Sequence, residues 1–187
     1  MHRMVVMGAS LGGLSTLKTI FQGLTIGFSA PIAIVQHRHK ESKANMAKAL
    51  QVSSNLPIRE VEDKDLILPG HIYLAPPDYH LLVELGHFVL SVDEPVSYAR
   101  PSIDVLFESA AESYAERTIG VILTGANQDG AGGAAAIKAH GGTIIVQEPA
   151  TAASEVMPMA ALNHTTADWI LPPTQIAKQL NALCSVS

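Results

Sequence analysis

A serine between glycines is the first residue in the chain placed to do chemistry. Gly8-Ala9-Ser10-Leu11-Gly12 follows the apolar run Met4-Val5-Val6-Met7 and precedes Leu14, Leu17, Ile20 and Phe21 at helical spacing. A G-x-S-x-G segment between a strand and a helix is the setting of a nucleophile elbow. The glycines let the chain turn sharply and keep side chains away from the hydroxyl. The next amides, at Leu11 and Gly12, open a helix N-terminus and point toward any oxyanion formed at Ser10. A glycine-rich turn of this kind can instead cradle a phosphate or a dinucleotide. Against that, residues 8–13 lack G-x-G-x-x-G, the second strand ends in Gln36-His37 rather than a ribose-binding acid, and no Gly-Lys-Ser/Thr follows.

Two further polar groups lie at strand ends. His37 follows Ile32-Ala33-Ile34-Val35, and imidazole's near-neutral pKa suits it to take the Ser10 proton and return it to a leaving group. His39, two residues on, leaves a metal pair as the competing use of His37, but no cysteine or H-E-x-x-H pattern supplies further ligands. Asp129 sits in Leu123-Thr124-Gly125-Ala126-Asn127-Gln128-Asp129-Gly130, after a buried strand and before a helix. It reads equally as a helix cap and as the carboxylate that holds one ring nitrogen of His37. The order Ser, His, Asp differs from that of α/β-hydrolases, so another hydrolase architecture is implied.

The elements that must position these residues alternate. Strand, turn and helix recur at residues 4–21 and again at residues 119–140, and further strands are predicted at Ile32 to Val35, Thr143 to Gln147 and Trp169 to Leu171. Between them, Pro57 to Val61, Ile67 to Ala75, His80 to Leu85 and Phe88 to Val92 read as short β runs. The last two form an antiparallel hairpin about Gly86, in an insert that flanks or extends the sheet. Ile103, Leu106, Phe107, Ala110, Ala111 and Tyr114 mark a helix capped by Ser102. Shorter helices are expected at Ala44 to Leu50, near Met159 to Leu162 and at Thr174 to Leu183, and a polar loop at Glu148 to Ser154. The rhythm predicts an α/β fold, doubly wound and Rossmann-like, with a mostly parallel sheet and helices on both faces, and such sheets form sites at the carboxyl ends of their strands.

Composition narrows the function. The 187 residues are 48% hydrophobic but only 5% aromatic, the filling of helices packed on a sheet, and intrinsic disorder is excluded. A net charge of −5 without a basic face gives no support to nucleic-acid binding. The longest uncharged stretch, Thr19 to His37, is broken by Gly23, Gly27 and Pro31, so no membrane insertion is expected. A single cysteine, Cys184, and no signal-peptide pattern fit a cytoplasmic protein.

Gly8 to Gly13, Val35-Gln36-His37, Leu68 to Pro76, Arg100 to Phe107, Val121 to Gly125, Asp129-Gly130 and Met157-Pro158 together resemble the catalytic domain of the bacterial chemotaxis receptor methylesterase, the CheB family, over about Met4 to Leu180. The resemblance implies a three-layer α/β domain that hydrolyses glutamate γ-methyl esters on chemoreceptor cytoplasmic helices and releases methanol, with glutamine deamidation as a second activity. It carries the family's triad onto Ser10, His37 and Asp129, with backbone N–H groups of Leu11 and Ala126 as oxyanion donors. Arg100 is a candidate for positioning an acidic substrate or, equally, for structure. No cofactor or metal is implied. The chain departs from the family pattern at Leu11, where Thr is common, at Arg38-His39 in place of Met-Pro, and at Thr124-Gly125-Ala126-Asn127 in place of Thr-Gly-Met-Gly. A single catalytic domain over 1–187 is expected, with no phospho-acceptor receiver domain in this chain, which is then free-standing or a piece of a larger protein. The altered residues leave two rivals: a related serine esterase or amidase with another substrate, and a non-catalytic adaptor of the same fold.

Overall fold

The structure, a computed structural model, describes residues 2–38 and 45–184. Seven parallel strands form the sheet: β1 (Met4–Ala9), β2 (Ile32–Gln36), β3 (Ile58–Glu60), β4 (Ile72–Leu74), β7 (Thr118–Ile122), β8 (Thr143–Gln147) and β9 (Trp169–Leu171), in the order β3-β4-β2-β1-β7-β8-β9. The hairpin of β5 (His80–Glu84) and β6 (His87–Ser91) stands apart as a two-stranded antiparallel sheet. The helices are α1 (Gly13–Gln22), α2 (Met46–Gln51), α3 (Ile103–Tyr114), α4 (Ala131–Ala139), α5 (Val156–His164) and α6 (Pro173–Cys184).

Buried strands covered on both faces carry apolar residues without interruption, and β1 does so with every residue buried. Its alternate side chains serve two cores. Val5, Met7 and Ala9 pack with Leu17 and Phe21 of α1 and Ile176 and Leu180 of α6, while Met4 and Val6 face Phe107 of α3, Ile137 of α4, Met157 of α5 and Phe88 of the hairpin. The result is helix, sheet, helix in three layers. Chain order runs outward from β1 through β2 toward β4 and β3, then returns to add β7, β8 and β9 on the other side. The switch between the two halves therefore lies beside β1, where ligand sites form in such sheets.

The insert both extends and flanks the sheet: β3 and β4 join its edge, and the hairpin lies against α3. Of the run from Ile67 to Ala75 only Ile72–Leu74 is strand, because Pro69 has no N–H for a ladder and Gly70 turns at φ 66°. The loop at 148–154 contains a single 3-10 turn, Pro149–Thr151. Helix α2 starts later than its composition suggests. Asn45 caps it by accepting from the Lys48 N–H at 2.9 Å, and Ala44, like His39, lies outside the described residues. Among the described residues no helix is long and apolar enough to cross a membrane.

Candidate active site

Three neighbouring strands bring the three sequence-selected side chains to one edge of the sheet. β2 and β7 flank β1, in register Ala9 to Gln36 and Gly8 to Ile122. Ser10 and His37 each leave a strand end, and Asp129 follows the loop after β7. The ladders continue one step into the loops: His37 N–H donates to Ala9 O, and Ser10 N–H to Thr124 O, both at 2.9 Å. Close approach explains two glycines here. A Cβ on Gly125 would stand 2.9 Å from the Ser10 Cβ and would overlap Met157, and one on Gly8 would overlap Ile103 at the start of α3.

Asp129 is 1% exposed and accepts four hydrogen bonds. Its Oδ2 receives His37 Nε2 at 2.8 Å and the Ile103 N–H at 2.7 Å, and its Oδ1 receives Ser102 Oγ at 2.9 Å and the Asp104 N–H at 3.0 Å. The carboxylate thus lies on the N-terminus of α3, whose first amides are free to donate outward. Burial alone would raise the Asp129 carboxyl, but the hydrogen bonds from His37, Asp104 and Ile103 prevail and hold it below the ordinary carboxylate range.

The favour is returned. Asp104, in the first turn of α3, accepts from the Gly130 and Gly133 N–H groups at 3.0 and 2.6 Å, so each of α3 and α4 is capped by a carboxylate belonging to the other's flank. Burial, and then Asp129 beside it, raise the Asp104 carboxyl. Removing that side chain orphans two amides, so Asp104→Ala is expected to lower stability by about 2 kcal/mol. Asp104→Asn keeps the accepting oxygen and removes the disfavoured charge, so it should cost far less. Urea denaturation midpoints of the two variants measure the difference.

The histidine's state follows from its partners. Nε2 faces an ionised carboxylate and donates to it, which leaves the lone pair on Nδ1. Nδ1 faces the Asn127 carboxamide, with Nδ2 at 3.0 Å. That amide is oriented without reference to the histidine, because its Oδ1 accepts the Asp129 N–H at 3.0 Å. The Ser10 hydroxyl makes no hydrogen bond among the described residues.

Two peptide planes complete the geometry. Ser10 O accepts from Gln36 Nε2 at 2.8 Å and from the Gly13 N–H at 2.9 Å. In a trans peptide the N–H opposes the C=O, so the Leu11 N–H points away from both. Likewise Gly125 O accepts the Met157 N–H at 3.0 Å, turning the Ala126 N–H the other way. Neither amide meets an acceptor among the described residues. Gln36 also donates to His37 O at 3.0 Å and so ties the ends of β1 and β2 together. Asn127 does not use the left-handed conformation that its place in a glycine-rich turn suggests; its φ is negative, and the positive φ in this region belongs to Gly12 and Gly130.

Ser10 and His37 lie where two depressions meet. One, of about 510 Å³, is lined by Arg38, Asp78, residues 97–101 and Asn127; a shallower groove runs along residues 11–15 at the start of α1. Arg100 lines the first, but its guanidinium is engaged: Nε and Nη2 donate to Asp78 Oδ1 at 3.2 and 2.8 Å, and Nη1 to Val92 O and Asp93 O at 2.8 and 3.1 Å. Arg38 pairs with Glu60 at 2.6 Å on the same cleft. No group of three metal-ligating side chains occurs among the described residues, and the His39 of a metal pair lies outside them.

Residue spacing did not single out Gln36, Asn127 or Asp104 as parts of the site. Signals for them existed: a polar residue closing an all-apolar strand in Gln36, and an Asx turn in Asn127-x-Asp129.

Known proteins resemble this chain over nearly its whole length. Residues 5–180 match the family model described as CheB methylesterase. A protein-glutamate methylesterase/protein-glutamine glutaminase of Thermotoga maritima is 36% identical over 182 residues, covering 95% of this chain and 53% of that protein. One of Caulobacter vibrioides is 41% identical over 177 residues, covering 92% and 51%. A Leptospira interrogans protein whose name assigns both activities provisionally is 45% identical over 178 residues, covering 95% of this chain and 92% of its own length. The chain therefore spans about half of the first two relatives and nearly all of the third. The crystal structure of the Thermotoga maritima CheB methylesterase catalytic domain superposes with a TM-score of 0.93 at 36% identity, over 98% of this chain and 99% of that one.

Proposed function

The chain belongs to the CheB methylesterase family, and from that premise we propose that it is a serine hydrolase that removes γ-methyl groups from glutamate side chains on chemoreceptor cytoplasmic helices. Glutamine deamidation at the same site is the second activity. The observation that carries the reading is an uncommitted Ser10 hydroxyl in a cleft beside a His37 whose far nitrogen is held by a buried Asp129.

In this reading Ser10 Oγ attacks the ester carbonyl carbon and its proton passes to His37 Nδ1. The carbonyl electron pair moves onto oxygen, where the Leu11 and Ala126 N–H groups receive it. Collapse expels the methoxy group, which takes the proton from His37 and leaves as methanol. Water, deprotonated by His37, then attacks the acyl-enzyme and frees the glutamate and Ser10. Asp129 stays ionised throughout and stabilises the imidazolium. A substrate helix would lie across both depressions, with the ester at their junction. Arg100, already tied to Asp78, supports the reading of a residue that holds the wall of residues 92–101 rather than one that waits for an acidic substrate. A site in the cytoplasm, where the receptor helices lie, follows from the same proposal.

The test is methanol release from a methylated chemoreceptor cytoplasmic fragment, with ammonia release from a glutamine-bearing fragment as its companion. Turnover is the expected result. A folded protein that releases neither overturns the substrate assignment. Labelling of Ser10 by a fluorophosphonate would then indicate a hydrolase for another ester, and its absence an adaptor.

A further inference from the structure

The triad reading requires Ser10 to deliver its proton to His37 Nδ1, yet that nitrogen is already occupied. The Asn127 carboxamide donates to it at 3.0 Å, and the amide's other end is pinned by the Asp129 N–H at 3.0 Å. A carboxamide so held can only donate toward the ring, and a ring nitrogen that accepts there must carry its proton on Nε2, toward Asp129 Oδ2 at 2.8 Å. The Asn127 contact and the Asp129 contact therefore select the same tautomer. Ser10, Asn127 and His37 all line one cleft, and only the serine hydroxyl lacks a partner among the described residues.

Building on the hydrolase reading above, we propose that Asn127 is a positioning residue that fixes the His37 tautomer and holds its Nδ1 lone pair in reserve until a bound substrate moves the carboxamide aside and Ser10 takes its place. The exchange trades one neutral hydrogen bond for another. Its effect on Ser10 reactivity should be correspondingly modest, about fivefold.

The charged groups around the ring set a sharper test. Asp129 faces Nε2, with Asp104 and Glu108 behind it on α3; across the cleft stand the Arg38–Glu60 and Arg100–Asp78 pairs. Each arginine is matched by its own acid, so a new carboxylate beside Nδ1 would meet no compensating cation nearer than the imidazole. Asn127→Asp should therefore trap the ring as imidazolium between two carboxylates. Activity would then fall by more than tenfold near neutral pH and return as pH rises, moving the acid limb of the profile toward alkali.

The experiment measures the rate of fluorophosphonate labelling at Ser10 from pH 5 to 10 for the parent, Asn127→Gly and Asn127→Asp. Nitrogen-15 spectra of the His37 ring are recorded on the same proteins. Expected are faster labelling of Asn127→Gly by about fivefold, an alkaline-shifted profile for Asn127→Asp, and a parent Nδ1 resonance that moves toward that of a free pyridine-type nitrogen in Asn127→Gly. A merely structural Asx turn would slow both variants alike without moving the profile, and that outcome overturns the proposal. So does a parent ring with the proton on Nδ1, a measurement that holds even where a variant folds poorly. Labelling of the parent that both variants leave unchanged refutes the role of Asn127 alone. Absence of labelling in every form refutes the hydrolase reading, and this proposal with it.

Discussion

Ser10→Ala is expected to abolish methanol release, by a factor of about 10⁴ or more, while leaving the stability of the protein within about 0.5 kcal/mol of the parent. The two halves of that expectation have one cause. A residue that served the fold would spend its hydroxyl on a hydrogen bond, as Thr124 does with Leu11 O at 2.8 Å and Ser102 with Asp129 Oδ1 at 2.9 Å. The Ser10 hydroxyl does neither, while its backbone N–H and C=O are fully used by Thr124, Gln36 and Gly13, and those bonds survive in alanine. Its Cβ, which leaves no room for a side chain at Gly125, is retained. Nothing structural is therefore deleted, and on the proposed mechanism only the nucleophile is lost. Catalysis left over would come from water attacking an ester held by the Leu11 and Ala126 amides. Methanol release and thermal unfolding measured on the same preparation decide it: lost activity with an unmoved melting temperature supports the assignment, and retained turnover sinks it.

The layered fold was legible because its elements repeat on a simple period. β1 and α1, the 12-residue α3 with its Ser102 cap, and β8 at Thr143–Gln147 follow from apolar spacing and turn residues alone. The grouping of Ser10, His37 and Asp129 was legible for a related reason: in a parallel sheet every strand end reaches the same edge, so position along the strand suffices. What spacing does not encode is which side chain meets which at that edge. Whether the carboxamide of Asn127 meets the imidazole or solvent depends on a turn closed by the Asp129 amide. That Arg100 spends its guanidinium on Asp78 and two carbonyls depends on how residues 92–101 fold back over the cleft. The reciprocal capping of α3 and α4 joins residues 25 to 29 apart in sequence, beyond the reach of any local signal.

Asp129→Asn is expected to cost both activity and stability, unlike the change at Ser10. Each carboxylate oxygen accepts two donors, so the new amide NH₂ must face donors wherever it turns. Placed at Oδ1 it meets the Asp104 N–H, which cannot reverse, although the Ser102 hydroxyl can. Placed at Oδ2 it meets the Ile103 N–H and forces His37 to accept on Nε2. The ring proton then moves to Nδ1, where it opposes the Asn127 Nδ2 donor and occupies the nitrogen that must be bare to receive the Ser10 proton. Hydrolysis should fall by about 10³ to 10⁴ from the wrong tautomer and the missing charge. The unpaired donors at the head of α3 should lower stability at neutral pH by about 2 to 3 kcal/mol. The sign of the pH dependence distinguishes this origin from general damage. The Asp129 carboxyl is depressed in the folded protein, so its contribution is complete above the unfolded carboxylate pKa of about 4 and is lost as pH falls through the lower, folded value. The gap in unfolding free energy between parent and variant should accordingly be open across neutral pH and narrow below pH 4. A gap that stays the same width in acid would mean that the carboxylate's charge is not what the N-terminus of α3 and the imidazole are holding.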